Sequence, residues 1–285
     1  MNRFLSAALC FLLAGCAAQG EIGVAQAPIR FLLTFDDGPA TWSVLDKPST
    51  VRVLETLADN PVQPGIKAVF FVQTRAWNAG GSEAGRELLR REHAAGHLLA
   101  VHTGNRQSHV SHVHLQPEEL EESLANAKAD ITAISGSAPR LVRPPFWTYD
   151  EATLAAYERA GLEMLLTDLS ANDGVVWGIN FSLRKRSNLR AQLERLGGRL
   201  PVLDGVTPVV VTFHDVNSHT ARNLAEYLRI LVEEAQAAGL QLAPKPFYDA
   251  RADLEGAALL RAFQTPRREQ SASYNSPLFP QPASR

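Results

Sequence analysis

Phe31-Leu32-Leu33-Thr34-Phe35-Asp36-Asp37-Gly38-Pro39 runs from an apolar stretch into two adjacent carboxylates and a Gly-Pro pair. The first five residues read as a buried strand. Successive residues on a strand point to opposite faces, so two neighbouring Asp share one site only where the strand breaks. Gly38 and Pro39 supply that break. One Asp is then available to bind a metal and the other to move a proton. The competing reading is an Asx-type turn that merely caps a strand, and the remaining chain decides between the two.

Outward from that strand the pattern alternates. Further strands are expected at 67–72, 97–101, 140–143, 164–167, 208–213 and 240–243, after the first at 29–35. Helices are expected at 48–58, 82–95, 117–135, 149–160, 183–196 and 219–238. Pro48-Ser49-Thr50 opens the first helix, Gly96 and Gly161 close two others, and Glu118 and Glu119 bring acid to a helix N-terminus. This βα rhythm argues for parallel strands in an α/β fold. No Gly-rich phosphate turn follows the first strand, which favours a distorted (β/α) barrel of about seven parallel strands over an open dinucleotide-binding sheet.

The 285 residues carry a net charge of −2 and no long basic block, which argues against nucleic acid as a partner. Residues 1–16 have a short basic start, Met1-Asn2-Arg3, and an apolar run too short to span a bilayer as a mature helix. Residues 17–28 read as a linker, 29–264 as the barrel, and 265–285, rich in Pro, Ser, Arg and Gln, as a flexible tail. The only cysteines are Cys10 and Cys16, so the mature domain is expected to have neither a disulfide nor thiol chemistry. Leu13-Ala14-Gly15-Cys16 resembles the lipobox of bacterial lipoproteins. That resemblance implies cleavage before Cys16 and a lipid on its thiol, the only membrane attachment expected. Ala17 stands where an Asp would signal inner-membrane retention, so an outer-membrane anchor facing the periplasm is implied. An ordinary secretory signal cleaved near Ala17-Ala18 is the alternative, and both readings export the chain.

Polar residues recur just after expected strands: Asp36 and Asp37, His102 and Thr103, Arg143, Asp168 and Asp173, and His214-Asp215. In a parallel barrel those are the positions that build an active site. One His at such a point is ordinary; the same address used five times is not. An Asp with two or three His suits Zn²⁺ or a similar divalent ion with a position open to water. A carboxylate beside it can take a proton and a further His can give one.

The order of these motifs resembles the polysaccharide deacetylases, the NodB-homology fold of carbohydrate esterase family four. Thr34 to Pro39 matches that family's TFDDGP motif without change, Val101-His102-Thr103 its first metal-ligand motif, Arg143-Pro144-Pro145-Phe146 its third motif, and His214-Asp215 its last. The resemblance implies that Asp36 is the general base, Asp37 and His102 are metal ligands, and Arg143 holds Asp36. It further implies that the Phe146 backbone N–H supports the oxyanion and that His214 is the general acid. Departures accompany these matches. The family's second His lies four residues after the first, where this chain has Arg106. His109 is read as that ligand across an insertion within 104–107, with His112 as the alternative. Trp147 replaces the Gly that ends the third motif. The Asp that tunes the acidic His is read as Asp173, followed by Gly174 where the family has Trp, with Asp168 as the alternative. Trp147 and Trp177 are candidates to rebuild that wall or are simply core, and Trp42 is a candidate to stack on sugar.

The leading expectation is a metal-dependent hydrolase, with Zn²⁺ the expected ion, that removes acetyl groups, above all N-acetyl, from an envelope or exported polysaccharide. A related amidohydrolase or O-acetyl esterase acting on a smaller substrate is the first alternative. A non-catalytic carbohydrate-binding relative is the second. The presence together of Asp36, Asp37, Arg143 and His214 argues against the last, because binding alone needs neither a base nor an acid.

Overall fold

The computed structural model describes residues 27–42, 46–173, 184–196 and 200–262. In chain order they form β1 (Ile29–Asp36), α1 (Ser49–Ala58), β2 (Ala68–Gln73), α2 (Glu83–Ala94), β3 (Leu98–Thr103), α3 (Pro117–Ser135), β4 (Leu141–Val142) and α4 (Glu151–Arg159). Then follow β5 (Glu163–Met164), β6 (Leu169–Ser170), α5 (Lys185–Leu193), β7 (Thr207–His214), α6 (Ser218–Ala237), β8 (Leu242–Phe247) and α7 (Arg251–Arg261). The expected signal segment, most of the linker, the tail from 265 and Trp177 lie outside the described residues. Among the described residues no helix is long and apolar enough to cross a membrane.

β1 is buried along nearly its whole length, as a strand covered on both faces must be, and this accounts for its unbroken apolar run. On one edge it pairs with β7 from Ile29 beside Thr207 to Asp36 beside His214. On the other its C-terminal half pairs with β2 and its N-terminal half with β8. Every ladder is parallel, in the order β5-β4-β3-β2-β1-β7-β6, with β8 beside β1. This is the expected distorted (β/α) barrel, with eight strands against about seven expected. It curls without closing, since among the described residues no ladder joins β5 to β6.

Two apolar cores follow from the period of two along each strand. Phe31, Leu33 and Phe35 of β1, with Phe70, Val72, Val209, Val211 and Phe213, face outward against the helices. Leu32, Val69, Phe71, Leu98, Ala100, Leu141 and Val210 face inward, and Leu254, Ala257 and Ala258 of α7 join them. The helix ends carry the expected chemistry. The Ser82 hydroxyl accepts the Gly85 N–H at 3.0 Å at the start of α2, and Gly136, in the left-handed region, ends α3.

Two expectations are corrected. The strand expected at 164–167 is two short strands, β5 and β6, separated by residues 165–168. The backbone there changes partners: the Leu165 N–H still donates to the Val142 carbonyl and the Asp168 N–H to that of Val210, while the Arg143 guanidinium donates to the Leu165 and Leu166 carbonyls. The last helix, α7, was not anticipated as an element at all.

Candidate active site

The inward parity that builds the interior core continues to the strand ends and turns polar there. Leu32 leads to Thr34 and Asp36, Phe71 to Gln73, Ala100 to His102, Leu141 to Arg143, and Val210 to Thr212 and His214. One layer of the barrel therefore gathers Asp36, Gln73, His102, Arg143 and His214 from five strands or their ends. Arg143 is fully buried, its guanidinium 4.1 Å from the Phe71 ring centroid, and it donates to Asp36 Oδ1 at 2.8 Å and to the Thr34 hydroxyl at 2.7 Å. That charge-assisted bond fixes one oxygen of Asp36.

Asp37 reaches the same opening because the strand ends there. Its φ of 73° is left-handed, a conformation that costs a non-glycine residue roughly 1–2 kcal/mol. The turn beyond it is braced from beneath. A Cβ at Gly38 would sit 2.3 Å from Asp215 Oδ2, so only glycine fits. The Thr50 hydroxyl donates to Asp215 and accepts the Ala40 N–H at 2.8 Å. Asp215, paired with His214 in the sequence motif, thus supports the turn; burial pushes its carboxyl well up.

Asp37 Oδ1 lies 3.0 Å from both His102 Nε2 and His109 Nε2, and the three ligand atoms lie within 4.8 Å of one another. His102 Nδ1 lies 2.9 Å from the Arg143 carbonyl, which can only accept, so the ring N–H belongs there. That leaves Nε2 facing the Asp37 carboxylate oxygen. Two imidazole nitrogens converging on a carboxylate oxygen are a suitable donor set for a divalent ion, which would take the place of the protons shared with Asp37. Burial pushes the Asp37 carboxyl up, but hydrogen bonds with His102 and His109 and the charge of His214 hold it well below the usual range.

His112 lies apart from this cluster. Its Nδ1 is 2.7 Å from the Tyr157 hydroxyl in the core, and burial, then the nearby charge of His102, holds its pKa down at about 3. Chelator competition for bound metal separates the two histidines. His109→Ala is expected to weaken binding by about 10–100-fold or more, whereas His112→Ala should keep the metal and lose stability by about 1–3 kcal/mol through the stranded hydroxyl. The reverse pattern would move the ligand to His112.

Asp173 follows β6 and meets His214. Its Oδ1 accepts the His214 Nδ1–H at 2.8 Å, while Oδ2 accepts the His214 N–H at 2.9 Å and the Thr220 hydroxyl at 2.6 Å. Asn217 donates to the Asp173 carbonyl at 2.6 Å. Burial pushes the His214 pKa down, but the charge and hydrogen bond of Asp173, then Asp37 and Asp36, carry it up to about 10. Its Nε2 faces Asp37 Oδ2 at 4.0 Å. The alternative Asp168 precedes β6 instead: it accepts the Val210 N–H at 2.8 Å and pairs with Arg261 of α7, away from His214.

Phe146 and Trp147 follow Arg143, both left-handed with φ of 59° and 62°. Glycine is favoured in that region, which explains why a Gly at position 147 would be natural. Trp147 occupies it with its ring 5.0 Å from the Arg143 guanidinium, and the Phe146 ring centroid lies 4.1 Å from that of His109. Trp42 is exposed on the loop after β1, and so is Trp77 after β2, which the sequence reading did not single out. Gln73, Thr50 and Thr220 were missed as well. Gln73 alone carried a signal, its inward parity at the end of β2.

Fold and site together define a (β/α) barrel with its reactive groups at the strand C-termini. The sequence model of the polysaccharide deacetylase family matches residues 24–165. The chain is 25% identical to the chitin deacetylase of Colletotrichum lindemuthianum over 196 residues, 69% of this chain and 71% of that protein. It is 29% identical to the chitooligosaccharide deacetylase of Bradyrhizobium sp. (strain ANU 289) over 217 residues, 75% of this chain and 88% of that protein. A family 4 acetyl xylan esterase from Clostridium thermocellum, solved with a cobalt ion, shares the fold at a TM-score of 0.53 and 22% identity, over 79% of this chain and 90% of that one. Residues 24–165 are a domain of the polysaccharide deacetylase family. The family match ends before Asp173 and His214, which reach the site through the pairing of β6 with β7 and of β7 with β1.

Proposed function

We propose that this chain is a metal-dependent hydrolase that removes acetyl groups, above all N-acetyl, from a polysaccharide of the chitin or peptidoglycan type. The observation that carries the reading is the convergence of His102 and His109 on Asp37, flanked by the Asp36–Arg143 and Asp173–His214 pairs. The relatives named chitin and chitooligosaccharide deacetylases support the substrate class. The donor set suits zinc or a similar ion, and the cobalt-bound neighbour supports a divalent metal.

Asp37, His102 and His109 would hold the ion. Its Lewis acidity would polarise the acetyl carbonyl and make water a better nucleophile. Asp36, with one oxygen fixed by Arg143, takes the proton of the attacking water. The Phe146 N–H, in its left-handed turn, donates to the oxygen that gains charge. His214 keeps Nδ1–H on Asp173 and gives its Nε2 proton to the departing amine nitrogen as the carbon–nitrogen bond breaks. The products are acetate and a free amino sugar. Export, with a lipid on Cys16 and an outer-membrane site facing the periplasm, belongs to the same proposal and suits a polymeric substrate outside the cytoplasm.

A second reading, an O-acetyl ester or a small amide as substrate, is favoured by the longer His102–His109 spacing and by Trp147, since both reshape the mouth of the site. Acetate release from acetylated chitooligosaccharides, with and without chelator, tests the proposal. Release that stops with chelator and returns with added zinc or cobalt is expected. Metal-loaded protein that releases acetate only from esters or small amides would favour the second reading.

A further inference from the structure

We infer that Gln73 is the positioning residue that lets His109 complete the metal shell from a point seven residues beyond His102. The inference rests on the proposed function insofar as Asp37, His102 and His109 hold an ion. Gln73 ends β2, is almost fully buried, and bonds through all four of its polar groups. Its side-chain Oε1 accepts the His109 N–H at 2.9 Å, and its Nε2 donates to the Asp37 carbonyl at 2.8 Å. Its backbone N–H donates to the Gly38 carbonyl at 2.9 Å, and its carbonyl accepts the Gly80 N–H at 3.0 Å. One carboxamide thus ties together the two segments that carry Asp37 and His109.

The need for such a tie comes from the spacing. A ligand four residues after His102 would be located largely by the turn that follows β3. His109 instead ends a longer excursion, and every extra backbone residue has to be ordered against its conformational entropy. It also stands in the left-handed region, with φ of 49°, a conformation that a residue with a Cβ rarely adopts. A hydrogen bond to its own N–H acts where that conformation has to be held. Other bonds hold the excursion elsewhere: Gly104 N–H to the Ser123 hydroxyl at 3.0 Å, Asn105 N–H to the Thr103 hydroxyl at 3.1 Å, Gln107 N–H to Asn105 Oδ1 at 2.9 Å, and Asn78 Nδ2 to the Ser108 hydroxyl at 3.4 Å. None of them reaches across to the Asp37 turn. Only a side chain with both a donor and an acceptor can serve an N–H and a carbonyl at once, which a Glu, Leu or Met at this position cannot.

The test is the dissociation constant for Co²⁺ or Zn²⁺ by chelator competition, beside the melting temperature of the metal-free protein. Gln73→Met, close in volume, should weaken binding by about 10–100-fold, as loss of a group that orients a ligand does; it also strands the His109 N–H and the Asp37 carbonyl, so the metal-free form should melt lower, and affinity is read on protein that circular dichroism shows to be folded. Gln73→Asn keeps the carboxamide but falls one methylene short, and should lose affinity likewise. In a His109→Ala background Gln73→Met should cost markedly less, because much of its effect runs through the missing ring. Unchanged affinity in Gln73→Met, or an equal penalty in both backgrounds, would overturn the inference and leave the metal reading standing. Wild-type protein that binds no ion would overturn both.

Discussion

Asp36→Asn is expected to lower kcat for acetate release by about 10²–10⁴-fold, the usual worth of a positioned general base, with bound metal unchanged. The geometry separates the two outcomes. Asp36 and Asp37 are neighbours in sequence, but Asp36 points inward onto Arg143 while Asp37, past the strand end, meets His102 and His109. Asn keeps the shape of Asp and can still accept from Arg143, yet it cannot take a proton from water. It also leaves a buried guanidinium without its counter-charge, and breaking a buried pair costs up to about 3–5 kcal/mol. The Thr34 hydroxyl and the Leu165 and Leu166 carbonyls still receive Arg143, so the variant should fold with a lowered melting temperature. Metal content and circular dichroism establish that it is folded and loaded before activity is read. An Asp36→Asn protein with wild-type turnover would remove Asp36 from the role of base.

Much of this site could be read from the sequence because it is written in strand parity. Thr34 and Asp36, Arg143, and Thr212 and His214 lie at even steps from apolar inward positions on strands that are easy to recognise. The rest depended on tertiary bonding that no local pattern encodes. The apolar run 164–167 looks like one strand, but the ladder is interrupted as the run passes from the Val142 side to the Val210 side, with the Arg143 guanidinium taking the Leu165 and Leu166 carbonyls between. The same interruption moves Asp168 to the α7 side and leaves Asp173 beside His214, a choice the sequence left open. His109 and His112 were likewise indistinguishable by spacing. What separates them is a partner distant in the chain, Tyr157 for one and Gln73 for the other. Thr50 and Asp215 brace the Asp37 turn from two elements whose contact depends on how α1 packs.

Asp173→Asn should move the alkaline limb of kcat/KM downward, and the sign follows from the balance of forces on His214. Burial alone would hold this imidazole below its ordinary value of about 6.5. Asp173 reverses that, and with smaller help from Asp37 and Asp36 the pKa stands at about 10. A cation on Asp37 cancels that carboxylate's share, which leaves Asp173 as the group that keeps Nε2 protonated. Removing its charge lets burial weigh more heavily, so the proton is lost at lower pH and the amine then departs without an acid. At pH 8 the variant should lose about 10²–10⁴-fold in kcat/KM, and the deficit should narrow as pH falls. Stability carries the same signature. A pKa raised in the folded state stabilises fully below about 6.5, and that contribution disappears as pH rises toward 10. Wild-type protein should therefore lose stability between those values, and Asp173→Asn should show a flatter dependence there, from a lower starting point because the Thr220 hydroxyl and the His214 N–H also lose their carboxylate. If the alkaline limb stays in place in Asp173→Asn, the proton given to the leaving group does not come from a histidine tuned by Asp173.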